Sequence, residues 1–589
     1  MNRRLLFDRV VLILSLLIFL VSIAIPSYSQ TYYVSNAGND GYTTIQAQNT
    51  GTPWKTIQHA CNNATPGTTI EIMAGTYFEQ ITIPVSGSKA GGYITLTNYK
   101  GGQVVINGNA STATLLTILS QSYIKVDGLE FYNCIGNNSI GIFIDGISDN
   151  IVFTNNIVHH IYWNTSVSAV PGFTDNAQPL IVYGDSATAV QNITLQNNDF
   201  YDNATGFSES CTLDGNVNGF NIVNNQVHNN QNIGIDIAGN YGTSPSLATD
   251  HARNGLVKGN KVWKCHSVYD SSAAGIYVDG GQNVTVENNE CYNNDWGIEV
   301  GCEQPKDTTA NIKVRDNNLY RNGGGMQVGG YDGPVNTGRV INSEISNNTF
   351  FANDTLMRGS GELALSYSEN CSFYNNIFYS TSNVIISAGW NNGNSLGFKF
   401  DYNRYYSITG DSVNATFSYG TFSYTGFSNY KTSSGFDTHS HFSDPSLTDT
   451  ALTALNLHLL SSSTCVDAGM PGFPVDTSEK DYDGNTRIIG GRIDIGADEY
   501  QGPSGVQLIS ELQNINVYPN PAASAIMLNV SGYSEDIRDI TIKVIDIYGR
   551  NVMMQTTYNK QEKLNISNLP VGVYCIFVND ACCKMFVKQ

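Results

Sequence analysis

The sequence predicts an all-β chain: a right-handed parallel β-helix, a solenoid with a short N-terminal helical cap, followed by a small C-terminal β-sandwich. Three observations predict it. A phrase of alternating apolar residues ending in Asn-Asn returns along the chain, as in Ile151-Val-Phe-Thr-Asn-Asn156, Ile193-Thr-Leu-Gln-Asn-Asn198 and Val284-Thr-Val-Glu-Asn-Asn289. It returns mostly every 27 to 30 residues, a solenoid period. Each copy breaks at Asn or Gly, which leaves room for strands and turns and none for a helix.

With the second Asn of each phrase as marker, the copies fall at Gly128, Asn156, Asn198, Asn225, Asn260, Asn289, Asn318, Asn348, Asn376 and Asn403. Stacked turns bring these side chains into a ladder. Two steps are stretched, 42 residues into Asn198 and 35 into Asn260. Insertions on one face of a solenoid build its binding surface. A solenoid must also cover its ends. Trp54, Ile57, Ala60 and Cys61 have the spacing of a short amphipathic helical cap, and Thr69-Ile-Glu-Ile-Met73 begins the strands.

The chain opens with Arg3, Arg4 and Arg9, an apolar stretch from Val10 to Ala24, then Ser27 and Ser29, the pattern of a secretory signal peptide over residues 1–29. The mature chain is expected to hold no transmembrane segment. Its formal charge becomes −22, from −20 for the whole sequence, so nucleic acid is excluded as a partner. Only 14% of residues are charged, against roughly 25% in an average globular protein, a surface suited to sugars. The 11 cysteines show no metal-finger spacing and imply no particular disulfide.

The opening strands, with Pro66-Gly67 and Ala74-Gly75-Thr76-Tyr77, resemble the N-terminal part of pectate-lyase-like β-helix proteins; the resemblance covers about residues 31 to 400 and speaks to fold, not chemistry. Asp481 to Arg487 and Arg492 to Tyr500 look like a closing segment of such proteins, their Asp residues serving turns rather than metal. After Gln501 the character changes. Val517-Tyr-Pro-Asn-Pro521, Ile542 to Arg550, Leu564 to Tyr574 and Phe586-Val-Lys588 are similar, in order, to the type IX secretion sorting domain. That family implies passage across both membranes, loss of the tail, and release or attachment at the cell surface. The expected organisation is a β-helix over 30–440, a closing segment over 441–500, a linker over 501–512 and the sorting domain over 513–589.

Candidate chemistry lies on four Gly-led strands that align without gaps: Gly234-Ile-Asp236, Gly275-Ile-Tyr277, Gly297-Ile-Glu299 and Gly325-Met-Gln327. Side chains alternate along a strand, so Asp236, Tyr277, Glu299 and Gln327 form one solvent-facing row, with Asp279 beside it. Two carboxyls in such a row suit glycoside hydrolysis, with Glu299 as acid and Asp236 or Asp279 as base or nucleophile. His251, Arg253, Tyr277, Lys306, Gln327 and Tyr331 are the expected substrate contacts. Asp279, Glu299 and Glu303 offer the oxygen ligands of a calcium ion, if one binds.

The chain lacks the Asp-Asp pair with Gly-His-Gly of galacturonases and the Arg-x-Pro-x-x-Arg of calcium pectate lyases. A lyase using Lys306 or Arg253 as base stays open, but carboxylates outnumber cations and favour hydrolysis. The expectation is a monomeric, exported, polysaccharide-cleaving protein whose other partner is the type IX secretion machinery. The alternative is a non-catalytic adhesion or glycan-binding stalk.

Overall fold

The computed structural model describes residues 30–330, 338–388, 397–451, 455–476, 479–502, 515–530, 540–546, 550–557, 559, 561–578 and 581–589. The signal-peptide stretch lies outside them. No helix among the described residues is long and apolar enough to cross a membrane. Two compact units emerge, residues 1–500 and 501–589.

In the first unit three parallel sheets run the length of a coil. The first runs from Thr31–Val34 to Lys399–Asp401, the second from Gly75–Tyr77 to His441–Phe442, and the third from Ile81–Thr82 to Phe422–Thr425. Each turn of chain adds one strand to each sheet, and inward Ile, Val, Leu and Phe fill a continuous core. At the N-terminal end Ile57–Asn62 is a helix capped by Thr56, whose hydroxyl accepts from His59 N at 3.2 Å. It buries Ile57, Ala60 and Cys61, beside a buried Trp54. At the other end an antiparallel hairpin, Thr416–Tyr419 with Phe422–Thr425, and the helix Phe427–Ser434 cover the core, with Tyr430 stacked on Phe417 at 4.4 Å.

The Asn-Asn phrase divides two tasks. The first Asn takes the left-handed conformation that turns the corner: φ is 56° at Asn155 and Asn197 and 55° at Asn288. Gly128 and Gly259 do the same without a side chain, at φ 73° and 66°. The second Asn points inward and joins a buried ladder. Asn289 Nδ2 donates to Asn317 Oδ1 at 2.9 Å and to Val257 O at 3.0 Å, while its Oδ1 accepts from Asn260 N and Nδ2, both at 2.9 Å. All four bonding positions of the amide are used, which no other side chain of this size can do. The structure corrects two markers. The ladder passes through Asn317, not Asn318, because Asp316 occupies the left-handed corner (φ 58°), and Leu129 rather than Gly128 stands at the ladder level.

A second stack, on the outside of the second sheet, went unnoticed in the sequence. Tyr132, His159, Tyr201, His228, Trp263, Tyr292 and Tyr320 lie one above another with centroids 4.1 to 5.6 Å apart. Neighbouring ring planes lie within 29° of parallel, so the faces are consumed by one another and edges point outward.

The described residues after Phe442, up to 500, run along a flank, over the corner Asn residues. Asn288 Nδ2 donates to Asp481 O at 2.6 Å and Asn347 Nδ2 to Asp494 O at 3.0 Å. Arg487, 1% exposed, sits 3.2 Å from Asp316 and donates to Gly496 O at 2.6 Å. Beneath this segment Leu447, Leu457, Leu459 and Ile495 form a small core with Phe351, Ile377 and Tyr379. The eight cysteines of the first unit are buried and free, acting as small core residues.

The second unit is a β-sandwich of two antiparallel sheets. One holds Ile515–Tyr518, Ala525–Val530 and Gln561–Asn565; the other holds Asn551–Thr557, Ile540–Asp546, Gly572–Val578 and Ala581–Lys588. Ile526, Leu528, Ile542, Val544, Leu564, Ile576 and Phe586 make its own core.

Candidate functional site: an acidic groove on the third sheet

The third sheet places Thr212, Asp236, Tyr277, Glu299 and Gln327 in one register row. The flanking Ile235, Ile237, Ile276, Val278, Ile298, Val300, Met326 and Val328 are fully buried in the core, which forces the row outward. A parallel row, two residues on, holds Asp214, Ala238, Asp279 and Gly301. Gly301 is required here. Tyr277 lies across it, and a Cβ at that position would stand 2.6 Å from the Tyr277 hydroxyl.

The row faces away from the core but not into bulk water. Asp236 is 6% exposed and Asp279 2%, because the inserted loop 239–252 folds back over them. Asp250 ties that loop into shape, accepting from Gly242 N at 2.6 Å and Ser244 N at 2.7 Å. From the loop, Thr243 Oγ1 donates to Asp214 at 2.6 Å, and the Tyr241 hydroxyl donates to Asp279 and, at 3.3 Å, to Glu303. Asp279 Oδ1 also accepts from Glu303 N at 3.0 Å, so both its oxygens are engaged. Gln327 Nε2 donates to Glu299 Oε1 at 2.8 Å. Asp236 Oδ1 is buried and has no hydrogen-bond partner in the protein.

Six carboxyls therefore share the groove: Glu209, Asp214, Asp236, Asp279, Glu299 and Glu303. Each is held above its usual carboxylate range, first by the loss of surrounding water, although only Asp236 and Asp279 are buried outright, Glu209, Asp214 and Glu299 being half-buried and Glu303 exposed. Neighbouring acids add to this: Glu209 and then Asp279 act on Asp236, and Glu303 and then Asp279 act on Glu299. Glu209 is pushed up to about 8. No Lys, Arg or His stands among the charges acting most strongly on any of the six. Glu209, Asp214 and Tyr241 escaped the sequence reading. Cys211-Thr-Leu-Asp-Gly215 alternates like its neighbours but lacks the leading Gly, while Glu209 and Tyr241 sit in loops with no periodicity.

The other expected contacts fare differently. Arg253 spends its guanidinium on the loop, donating to His251 O at 3.1 Å, Thr249 O at 3.3 Å and Asn216 Oδ1 at 2.8 Å. His251 is 5% exposed, with Nδ1 buried and unpartnered. Lys306 is exposed in a left-handed turn, φ 72°. Tyr331 lies outside the described residues. On the opposite rim, loops from three turns set Phe173 against Phe207 at 4.9 Å, tilted by 41°, and stack Phe207 on Tyr269 at 4.4 Å.

For calcium, the oxygen donors are of the right kind but are not gathered. Among the described residues the group that brings three ligand atoms within 4.8 Å of one another is His458, Asp483 and Asp498, in the flank segment. Asp279, Glu299 and Glu303 do not. In the flank group His458 Nε2 is 2.6 Å from Asp483, an ion pair that needs no metal.

The fold and its tail define a class: a right-handed β-helix followed by a small C-terminal β-sandwich. Residues 173–350 and 247–436 match the right handed beta helix region family. Residues 516–588 match the secretion system C-terminal sorting domain. The uncharacterized protein YwoF of Bacillus subtilis (strain 168) is 33% identical over 443 residues, covering 71% of this chain and 89% of that protein. The chain belongs to the same family of right-handed β-helix proteins as YwoF. Its sorting domain marks it for secretion across the outer membrane, to the cell surface or beyond.

Among solved structures, pectate lyase Pel9A aligns with 14% identity and a TM-score of 0.40, over 80% of this chain and 96% of that one. A mannuronic acid specific polysaccharide family 6 lyase from human gut microbiota aligns with 14% identity and a TM-score of 0.33, over 65% and 87%. Neither likeness bears on the chemistry of the groove.

Proposed function

We propose that the protein is an exported glycoside hydrolase whose active site is the acidic groove of the third sheet. The observation that carries this reading is that Asp236, Asp279 and Glu299 lie on one face of the third sheet, with the charge of Asp279 acting on both of the others. Glycosidic hydrolysis needs one carboxyl that keeps its proton and one that gives it up.

Glu299 suits the acid. Burial, Glu303 and Asp279 hold its proton above the usual range, and Gln327 occupies Oε1, leaving Oε2 to carry the proton toward a leaving oxygen. Asp236 serves as base in its ionised form, which is reached only above the usual carboxylate range because burial and then Glu209 hold its proton. Its Oδ1 is buried and has no partner in the protein, whereas both oxygens of Asp279 are committed to Tyr241 and Glu303 N. Asp236 and Glu299 stand two strands apart, ~9.6 Å between backbones, on either side of Tyr277. Elimination is less well served, since Arg253 is bound into the loop and Lys306 is exposed in a turn.

The test is a glycan panel read for reducing ends and for unsaturated products. Glu299→Gln should lower turnover about 10²- to 10⁴-fold with bound-glycan affinity retained. Full activity in that variant removes Glu299 from the mechanism, and unsaturated products replace hydrolysis by elimination. Glycans bound but never cut establish the non-catalytic stalk.

A further inference from the structure

Hydrolysis accounts for two carboxyls; the groove holds six. The surplus is spread over the strands that carry Asp214, Asp236, Asp279 and Glu299, about 14 Å along the sheet at ~4.8 Å per strand. Crowding like charges together, two of them (Asp236 and Asp279) buried, is costly unless something of opposite sign is present when the site works. The cations nearby in sequence do not supply it: Arg253 is spent on carbonyls and Asn216, and Lys306, three residues after Glu303, is exposed and is not among the charges acting most strongly on that acid. Asp236 is 94% buried by its 6% exposure, faces this groove, and keeps Oδ1 unpaired. The countercharge therefore arrives with the ligand.

Calcium would need its oxygens drawn close around one point, and Asp279, Glu299 and Glu303 do not gather them. Carboxyls strung along a row instead match charges repeated along a chain. The opposite rim adds Phe173, 88% exposed and tilted against Phe207, which stacks on Tyr269. Such rings attract ammonium groups and pack against apolar faces. We infer that the groove takes a glycan bearing free amino groups, whose ammonium ions pair with Asp214, Asp236 and Glu209 while the rings hold the sugar. This rests on reading the groove as a glycan site.

The reading has a second consequence. Acids held above their usual range release protons when an ammonium ion settles beside them. Acidic glycans made of uronates are repelled by the same charges.

The experiment is calorimetry on the mature full-length protein near pH 6, with a glucosamine hexamer, its fully N-acetylated counterpart and a galacturonate hexamer, each with chelator present. The glucosamine hexamer should bind about tenfold tighter than the N-acetylated one. Proton release should appear when buffers of different ionisation heat are compared, and the preference should shrink as salt rises from about 0.05 to about 0.5 M. Asp236→Asn and, separately, Asp214→Asn should each reduce the preference; the comparison among glycans needs only wild type should either variant fail to fold.

Equal or tighter binding of the N-acetylated or galacturonate hexamer overturns the inference, as does a lysine hexapeptide that outcompetes the amino sugar. Binding of the amino sugar without cleavage leaves the inference standing and removes the hydrolytic reading. Cleavage of a neutral glycan with no preference for the amine does the reverse.

Discussion

Removing a charge from the centre of the groove should stabilise the protein. Asp236 is buried, with one oxygen unpaired, and burial followed by Glu209 holds its proton well above the carboxylate range. Each groove acid binds its proton more readily in the folded chain than in the unfolded one. The stability that results is fully present below the unfolded value, near 4, and is lost as pH rises through the folded value. Glu209 sets the scale. It moves from 4.5 to about 8, and at about 1.4 kcal/mol per unit this is at most about 5 kcal/mol, which its partial exposure reduces to about 2–3.

Asp236→Asn keeps the shape, removes one titrating group and relieves Glu209. Urea midpoints at about pH 5 and about pH 8 provide the assay. Wild type should lose about 2–3 kcal/mol or more between them, and the variant should lose about 1–3 kcal/mol less and be the more stable protein at the higher pH. A wild-type midpoint that does not move, or a variant that falls as steeply, would refute the claim that these acids are buried against one another.

Two further outcomes test the scaffold. Asn289→Leu removes an amide that serves four hydrogen bonds and leaves Asn260, Asn317 and Val257 O with buried groups unpaired; a loss of about 3–5 kcal/mol is expected by denaturant titration, against under about 1 for a surface Asn. Deleting 513–589 should leave the melting of the β-helix unchanged, since its core contains no residue of the tail, while cell fractionation finds the protein retained inside.

Much of this architecture was written in period and alternation. The register row of Asp236, Tyr277, Glu299 and Gln327 follows from four Gly-led strands, because parallel strands one turn apart place equivalent residues side by side. Burial of Asp236 and Asp279 was not legible. It depends on loop 239–252 folding over the sheet through Tyr241, Thr243 and Asp250, contacts with no repeat to announce them. The same holds for Arg253 and His251, which read as ligand groups but serve the loop's own backbone or lie sealed within it. The phase error at Asn318 has a simpler cause: three polar residues, Asp316 to Asn318, compete for two positions, and Asp takes the left-handed corner nearly as readily as Asn. The outer aromatic stack was recoverable, since six of its seven members fall three residues after each ladder Asn from Asn156 to Asn317, and Tyr132 three after Leu129.

The ladder also separates length from alignment. Asn225 reaches Asn260 across 35 residues with a 3.0 Å bond, and Asn198 reaches Asn225 across 27 with one of 2.9 Å. However long the excursion, the chain is clamped again at the same level before the next strand begins. Loops on this rod are thus interchangeable fittings on an indexed frame, and the groove could be re-lined for another polymer without moving the strands that carry its acids.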